Sequence, residues 1–176
     1  MGALKLVDRG RALERRRGEW RRRRAQVLVD EGEGGAAVKE LDASKGERRK
    51  GADWRDLRVL AWDRAVVLAR MGEHPEALAL FQQMEMAPAP DYVVEAAVES
   101  CRELRETDFA LKLVDQRLAN DPNNIKWRIR RAQLWVDKGE AQEAAEELEK
   151  FREVRGKHPD WLDVRIYAAQ VAEDWI

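Results

Sequence analysis

Two histidines, one cysteine and an arginine-rich opening are the residues of this sequence whose chemistry stands out. His74 and His158 are potential general bases, Cys101 a potential nucleophile, and the many carboxylates potential acids. Catalysis needs such groups within hydrogen-bond reach of one another, and no motif here brings them there. Cys101 falls at an interior helical position and is expected in the core. Gly32, Gly34 and Gly35 mark a helix-to-helix turn, not the strand-to-helix loop that cradles phosphate. Two His and one Cys are too few for a four-ligand Cys/His zinc site. No catalytic residue, metal or other cofactor is expected, and the chain reads as a non-enzyme.

The arginines offer a different chemistry. Residues 1–24 carry ten Lys and Arg against three Asp and Glu. Arg15, Arg16, Arg17, Arg21, Arg23 and Arg24 form the densest part of this basic patch. Such a run suits an acidic protein surface or, as a weaker alternative, phosphate or nucleic acid. It equally suits a solvated helix pair with salt bridges to neighbouring glutamates.

The whole chain does not share that bias. It has 176 residues, 33 Lys and Arg against 34 Asp and Glu, and a formal net charge of -1. A generally basic nucleic-acid coat and an acidic disordered tail are both excluded, and nucleic acid is not the expected partner. A single cysteine excludes a disulfide scaffold within the monomer. No apolar run is long enough for a transmembrane segment, and no secretory signal is visible at the start. Nothing selects between cytoplasm and periplasm.

The elements that must position these residues come from repetition. Ala3–Asp8 recurs unchanged as Ala110–Asp115, an offset of 107. The same offset carries Trp20-Arg21 onto Trp127-Arg128 and Ala25-Gln26 onto Ala132-Gln133. It carries Asp53-Trp54 onto Asp160-Trp161. The sequence therefore contains an internal duplication of 3–65 onto 110–172. Apolar residues spaced by three and four predict about ten helices, over 3–15, 18–31, 35–46, 54–71, 75–86, 91–104, 107–119, 124–138, 141–155 and 160–174. Asp53, Asp91 and Asp160 are plausible N-caps.

The period divides into three units of about 34 to 37 residues, of which the 34-residue Asp91–Asn124 is the plainest. With small residues at Ala25, Ala65, Val98 and Ala132, and again at Ala37, Ala77, Ala110 and Ala144, the pattern resembles the tetratricopeptide repeat. Bulky residues follow at Leu41, Phe81, Val114 and Leu148, and Pro122 closes one unit. The resemblance implies an all-α fold, an α-solenoid whose antiparallel helix pairs wind into a right-handed superhelix. Residues 1–176 form a single repeat domain with units near 18–53, 54–90, 91–124 and 125–160. Half-repeats are expected at 3–17 and 161–176, as in a piece of a longer solenoid.

In that family, the first helix of each pair lines a concave groove. Carried over position by position, this selects Arg22, Gln26, Trp62, Val66, Arg70, Tyr92, Glu95, Glu99, Ile129 and Gln133. Trp62, Val66 and Tyr92 make an apolar stripe with Glu95, Glu99 and Glu103 beside it. Such a surface suits an apolar anchor with some positive charge, although Trp62 and Val66 equally suit packing between units. The Lys/Asn pairs of chaperone-tail clamps are missing, so that ligand is not expected. The resemblance implies a protein-protein interaction scaffold that binds a peptide or helix. The alternative is a structural spacer within a larger assembly or an envelope or secretion protein. The unpartnered helices 3–15 and 160–174 would support head-to-tail self-association.

Overall fold

The computed structural model describes residues 21–43 and 54–149, together with Ile166. All regular structure among these residues is helical. It comprises α1 (residues 21–30), α2 (Gly34–Asp42), α3 (Trp54–Arg70), α4 (His74–Gln83), α5 (Asp91–Glu103), α6 (Thr107–Asn120), α7 (Ile125–Lys138) and α8 (Ala141–Glu149). Helix α3 packs on α2 and α4, and α7 packs on α6 and α8. No described helix is long and apolar enough to cross a membrane.

Among the described residues one turn is built four times. After α1, Gly32 N–H donates to Val29 C=O at 3.0 Å and Glu33 N–H to Leu28 C=O at 2.7 Å. The same pair of bonds follows α3 at Gly72-Glu73, α5 at Arg105-Glu106 and α7 at Gly139-Glu140. This is the Schellman closure, which satisfies the last carbonyls of a helix and needs a left-handed residue. The carbonyl of each of these glutamates then accepts from an alanine of the next helix, namely Ala37, Ala77, Ala110 and Ala144. One short motif thus ends a helix, reverses the chain and starts the next helix.

Gly139 has φ 90° at the left-handed position, where a side chain costs energy, yet Arg105 holds the equivalent place at φ 59°. Arg105→Gly is therefore expected to stabilise the protein by about 1 kcal/mol. A shift of the urea midpoint to higher concentration checks this, and an unchanged midpoint contradicts it.

The small positions predicted from the sequence are buried. Ala37, Ala65, Ala77, Val98, Ala110, Ala132 and Ala144 are 0% exposed, and Ala25 is 2%. The bulky set Leu41, Phe81, Val114 and Leu148 is buried with them. Small side chains let paired helices approach closely, and the bulky residue fills the space beside them.

Contacts divide the chain into two compact units, 1–85 with 89–100, and 86–88 with 101–176. In the first, Ala25, Ala37, Leu41, Leu60 and Val67 form a core cluster edged by Leu28, Val29 and Val38. In the second, Ile129, Ala132, Val136, Ala144 and Leu148 do so, with Ile125 and Trp135 packed on them.

Two local expectations need correction. Helix α4 stops at Gln83, short of residue 86, and Pro88 and Pro90 explain why no helix resumes before Asp91. Asp91 is the first residue of α5, not its cap, because Pro90 C=O already accepts from Val94 N–H at 3.3 Å. Helices 3–15 and 160–174, the half-repeats and the contact expected between them lie outside the described residues, apart from a helical and exposed Ile166.

Candidate functional site

A cleft of about 480 Å³ opens in the first unit. Helix α1 supplies Arg22, Arg23, Ala25 and Gln26, α2 supplies Leu41, α3 supplies Asp63, Val66, Val67 and Arg70, and the first turn of α5 supplies Tyr92. The repeat explains the convergence, since α1, α3 and α5 are the first helices of successive pairs and turn related faces to the same side. Ala25, Leu41, Val66 and Val67 are buried, so the apolar part of the lining belongs to the core. The polar part stands around it.

Asp63 organises one side. Its carboxylate pairs with Arg22 Nε and accepts from the Tyr92 hydroxyl at 2.8 Å. Arg22 Nη2 also donates to Tyr92 Oη at 3.5 Å, which closes a triangle across three helices. Burial disfavours charge on Arg22, but its attraction to Asp63 more than offsets this and raises its pKa. On the other side, Arg70 Nη1 donates to Gln26 Oε1 at 3.2 Å, while Gln26 Nε2 donates to Asp30 at 2.7 Å. The cleft thus shows three arginines against one aspartate.

Burial pushes the Tyr92 hydroxyl up to about 12, and the hydrogen bond and charge of Asp63 push the same way. Both causes oppose formation of the phenolate. A raised folded value means that the interaction contributes stability fully below the ordinary tyrosine range and loses it as pH rises through about 12. The sequence has two tyrosines, Tyr92 and Tyr167. Ultraviolet titration should show a component near 12 that disappears in Tyr92→Phe and moves down in Asp63→Asn. Titration of Tyr92 at the ordinary tyrosine value would contradict the triangle.

The cleft gathers five of the residues selected from the sequence: Arg22, Gln26, Val66, Arg70 and Tyr92. Trp62 is a correction. It is 2% exposed, and its ring packs in the core under the Arg58 guanidinium at 5.0 Å, so it is no accessible anchor. Ile129 is corrected likewise, being 5% exposed in the core of the second unit. Gln133 belongs to that unit too and accepts from Arg130 at 3.0 Å. Half-buried Glu95 and exposed Glu99 follow Tyr92 on α5 but do not line this cleft, whose charged residues are Arg22, Arg23, Arg70 and Asp63.

Arg21 and Arg24 of the basic patch face α2, where both pair with Glu40 at 3.8 and 3.4 Å. Arg23 lines the cleft, and Arg15, Arg16 and Arg17 lie outside the described residues. Asp63 is the residue that sequence reasoning missed. Its signal is a single acid in a run of apolar and basic residues from Leu57 to Arg70.

Of the potential catalytic residues, His158 lies outside the described residues. His74 Nδ1 lies 3.2 Å from Ser100 Oγ, and that hydroxyl donates to Ala96 C=O at 2.9 Å. Cys101 is fully buried, and burial, with the charge of Glu106, pushes its thiol up to about 12, the reverse of nucleophile activation.

No protein-family model matches the sequence, and no curated protein is similar to it at a significant level. The backbone is similar to solved structures. A tetratricopeptide repeat protein from Parabacteroides merdae ATCC 43184 superposes with a TM-score of 0.74 at 18% identity, over 91% of this chain and 62% of that one. This chain therefore spans less than two thirds of that structure. The putative kinesin light chain of Podosopora anserina, with nearly identical TPR-like repeats, gives 0.67 at 16% identity, over 88% and 85%. A MamA mutant gives 0.59 at 17% identity, over 89% and 88%. The fold is the tetratricopeptide-repeat α-solenoid.

Proposed function

We propose that this tetratricopeptide-repeat chain is a non-catalytic protein-interaction scaffold that takes a segment of a partner protein in the cleft of its first unit. The observation that carries this reading is the convergence of Arg22, Gln26, Val66, Arg70 and Tyr92 from three successive first helices on one concavity. Apolar side chains beneath polar ones offer burial for an anchor and directed hydrogen bonds for its backbone or flanks, the arrangement of a peptide-binding groove. A cleft of about 480 Å³ takes a short anchor segment, and affinity comes from that anchor and its surroundings.

Selection of a displayed random-peptide library against the purified chain tests the reading. Wild type is expected to enrich related sequences that Gln26→Trp, which fills the cleft from an exposed position of the lining, does not retain. Enrichment of no related sequence, or equal retention by Gln26→Trp, would overturn it.

A further inference from the structure

The chemistry of the bound segment follows from which arginines of the cleft are already neutralised. Arg22 is paired with Asp63. Arg70 has only the neutral Gln26 amide as a partner among the described residues. Arg23 is exposed, lines the cleft and has no ion-pair partner among the described residues. Two positive charges from α1 and α3 thus border the cleft with no ion-pair partner among the described residues, above the apolar side chains of Leu41, Val66 and Val67.

We propose that the cleft selects an acidic segment with an aliphatic anchor, held by Arg23 and Arg70, and that Asp63 is a resident competitor that keeps Arg22 from joining them. The inference rests on the peptide-binding reading above. A guanidinium binds a carboxylate through charge-assisted hydrogen bonds, and Arg70 gives up only an amide contact to make one. Asp63 presents a carboxylate to Arg22 as a ligand would, and the Tyr92 hydroxyl secures its second oxygen. The aspartate therefore limits affinity for acids while it orders the site. Nucleic acid is disfavoured, because among the described residues the lining offers a single aromatic ring, that of Tyr92, on which a base could stack.

The test uses three peptides that share one aliphatic anchor and differ in flanks that are acidic, uncharged or basic. Titration calorimetry at two salt concentrations reads the binding. The acidic peptide should bind best and weaken with salt. Arg70→Gln and Arg23→Gln should each weaken it by about five- to tenfold, whereas Lys112→Gln, which removes a charge on α6, should change little. Asp63→Asn should strengthen it by about three- to tenfold, with circular dichroism confirming the fold. If Asp63→Asn fails to fold, Tyr92→Phe, which frees one oxygen of Asp63 without altering charge, should leave the acidic preference intact.

Binding of all three peptides alike, a preference for the basic one, or weakening by Asp63→Asn would overturn the acid selection and leave the interaction reading standing. Binding of none, with related library sequences also absent, would overturn the interaction reading itself. A single-stranded oligonucleotide that binds more tightly than the acidic peptide would overturn the choice of partner class.

Discussion

Replacing Glu147 with alanine should destabilise the protein by about 3 kcal/mol, the largest effect expected of any single change here. Glu147 is 5% exposed and lies on α8 between two guanidiniums of α7. Its carboxylate pairs with both Arg128 and Arg131, whose side chains are 15% and 19% exposed. Removing one member of a buried pair leaves the other charge without compensation, at a cost of about 3–5 kcal/mol. The arginines here reach some solvent, and Arg131 keeps Asp115 at 3.1 Å, so the low end of that range applies. Glu147→Gln should cost less, because the amide oxygen still accepts a hydrogen bond. Urea melts of the three proteins decide the matter. A Glu147→Ala midpoint equal to that of wild type would mean that the ion triad contributes nothing to the second unit.

Replacing Ala132 with phenylalanine should cost about 1–3 kcal/mol by overpacking. Ala132 is 0% exposed in the cluster formed by Ile129, Val136, Ala144 and Leu148. It is the small residue of α7, as Ala144 is the small residue of α8, and these two helices pack together. A ring at this point must force the helices apart or adopt a strained rotamer. Ala132→Gly should also destabilise, by about 1 kcal/mol, through loss of helix propensity. The phenylalanine result is the one that separates a filled contact from a surface position, since glycine costs helix propensity at either. A thermal midpoint that does not move with Phe would show that the helical register is wrong.

The fold was legible because its signals are local and repeated. Alanines at fixed spacing, Gly32, Gly72 and Gly139 at the hairpin turns, and the 107-residue duplication each constrain the same register. Even the place where the glycine is missing, Arg105, keeps the turn, because the chain on both sides already dictates it. The termination of α4 was less legible. Its apolar pattern runs on through Met84 and Met86, and only the later prolines show that the helix has ended.

The site was half legible. Position in the repeat found Arg22, Gln26, Val66, Arg70 and Tyr92, since a repeat transfers geometry from one unit to the next. It failed at Trp62 because α3 is buried on most of its circumference. Leu60, Trp62 and every residue from Ala65 to Ala69 are buried, so apolar character there cannot separate a groove face from a packing face. It failed at Asp63 because that residue's role comes from partners 41 and 29 residues away, Arg22 and Tyr92, which no local pattern shows. The positive charge of the lining is not legible for a related reason, since it depends on Arg23 of α1 and Arg70 of α3 facing one concavity.

Amide chemical-shift mapping with the acidic peptide shows whether the first unit holds a partner segment in this cleft, as proposed. On titration, the largest shifts are expected at residues 22–26, 63–70 and 92, with the Tyr92 ring moving as Asp63 and Arg22 adjust. Residues of α6 and α8 should stay in place. Shifts concentrated on α6 and α8, or spread evenly with no saturation, would contradict the assignment of the cleft as the binding site.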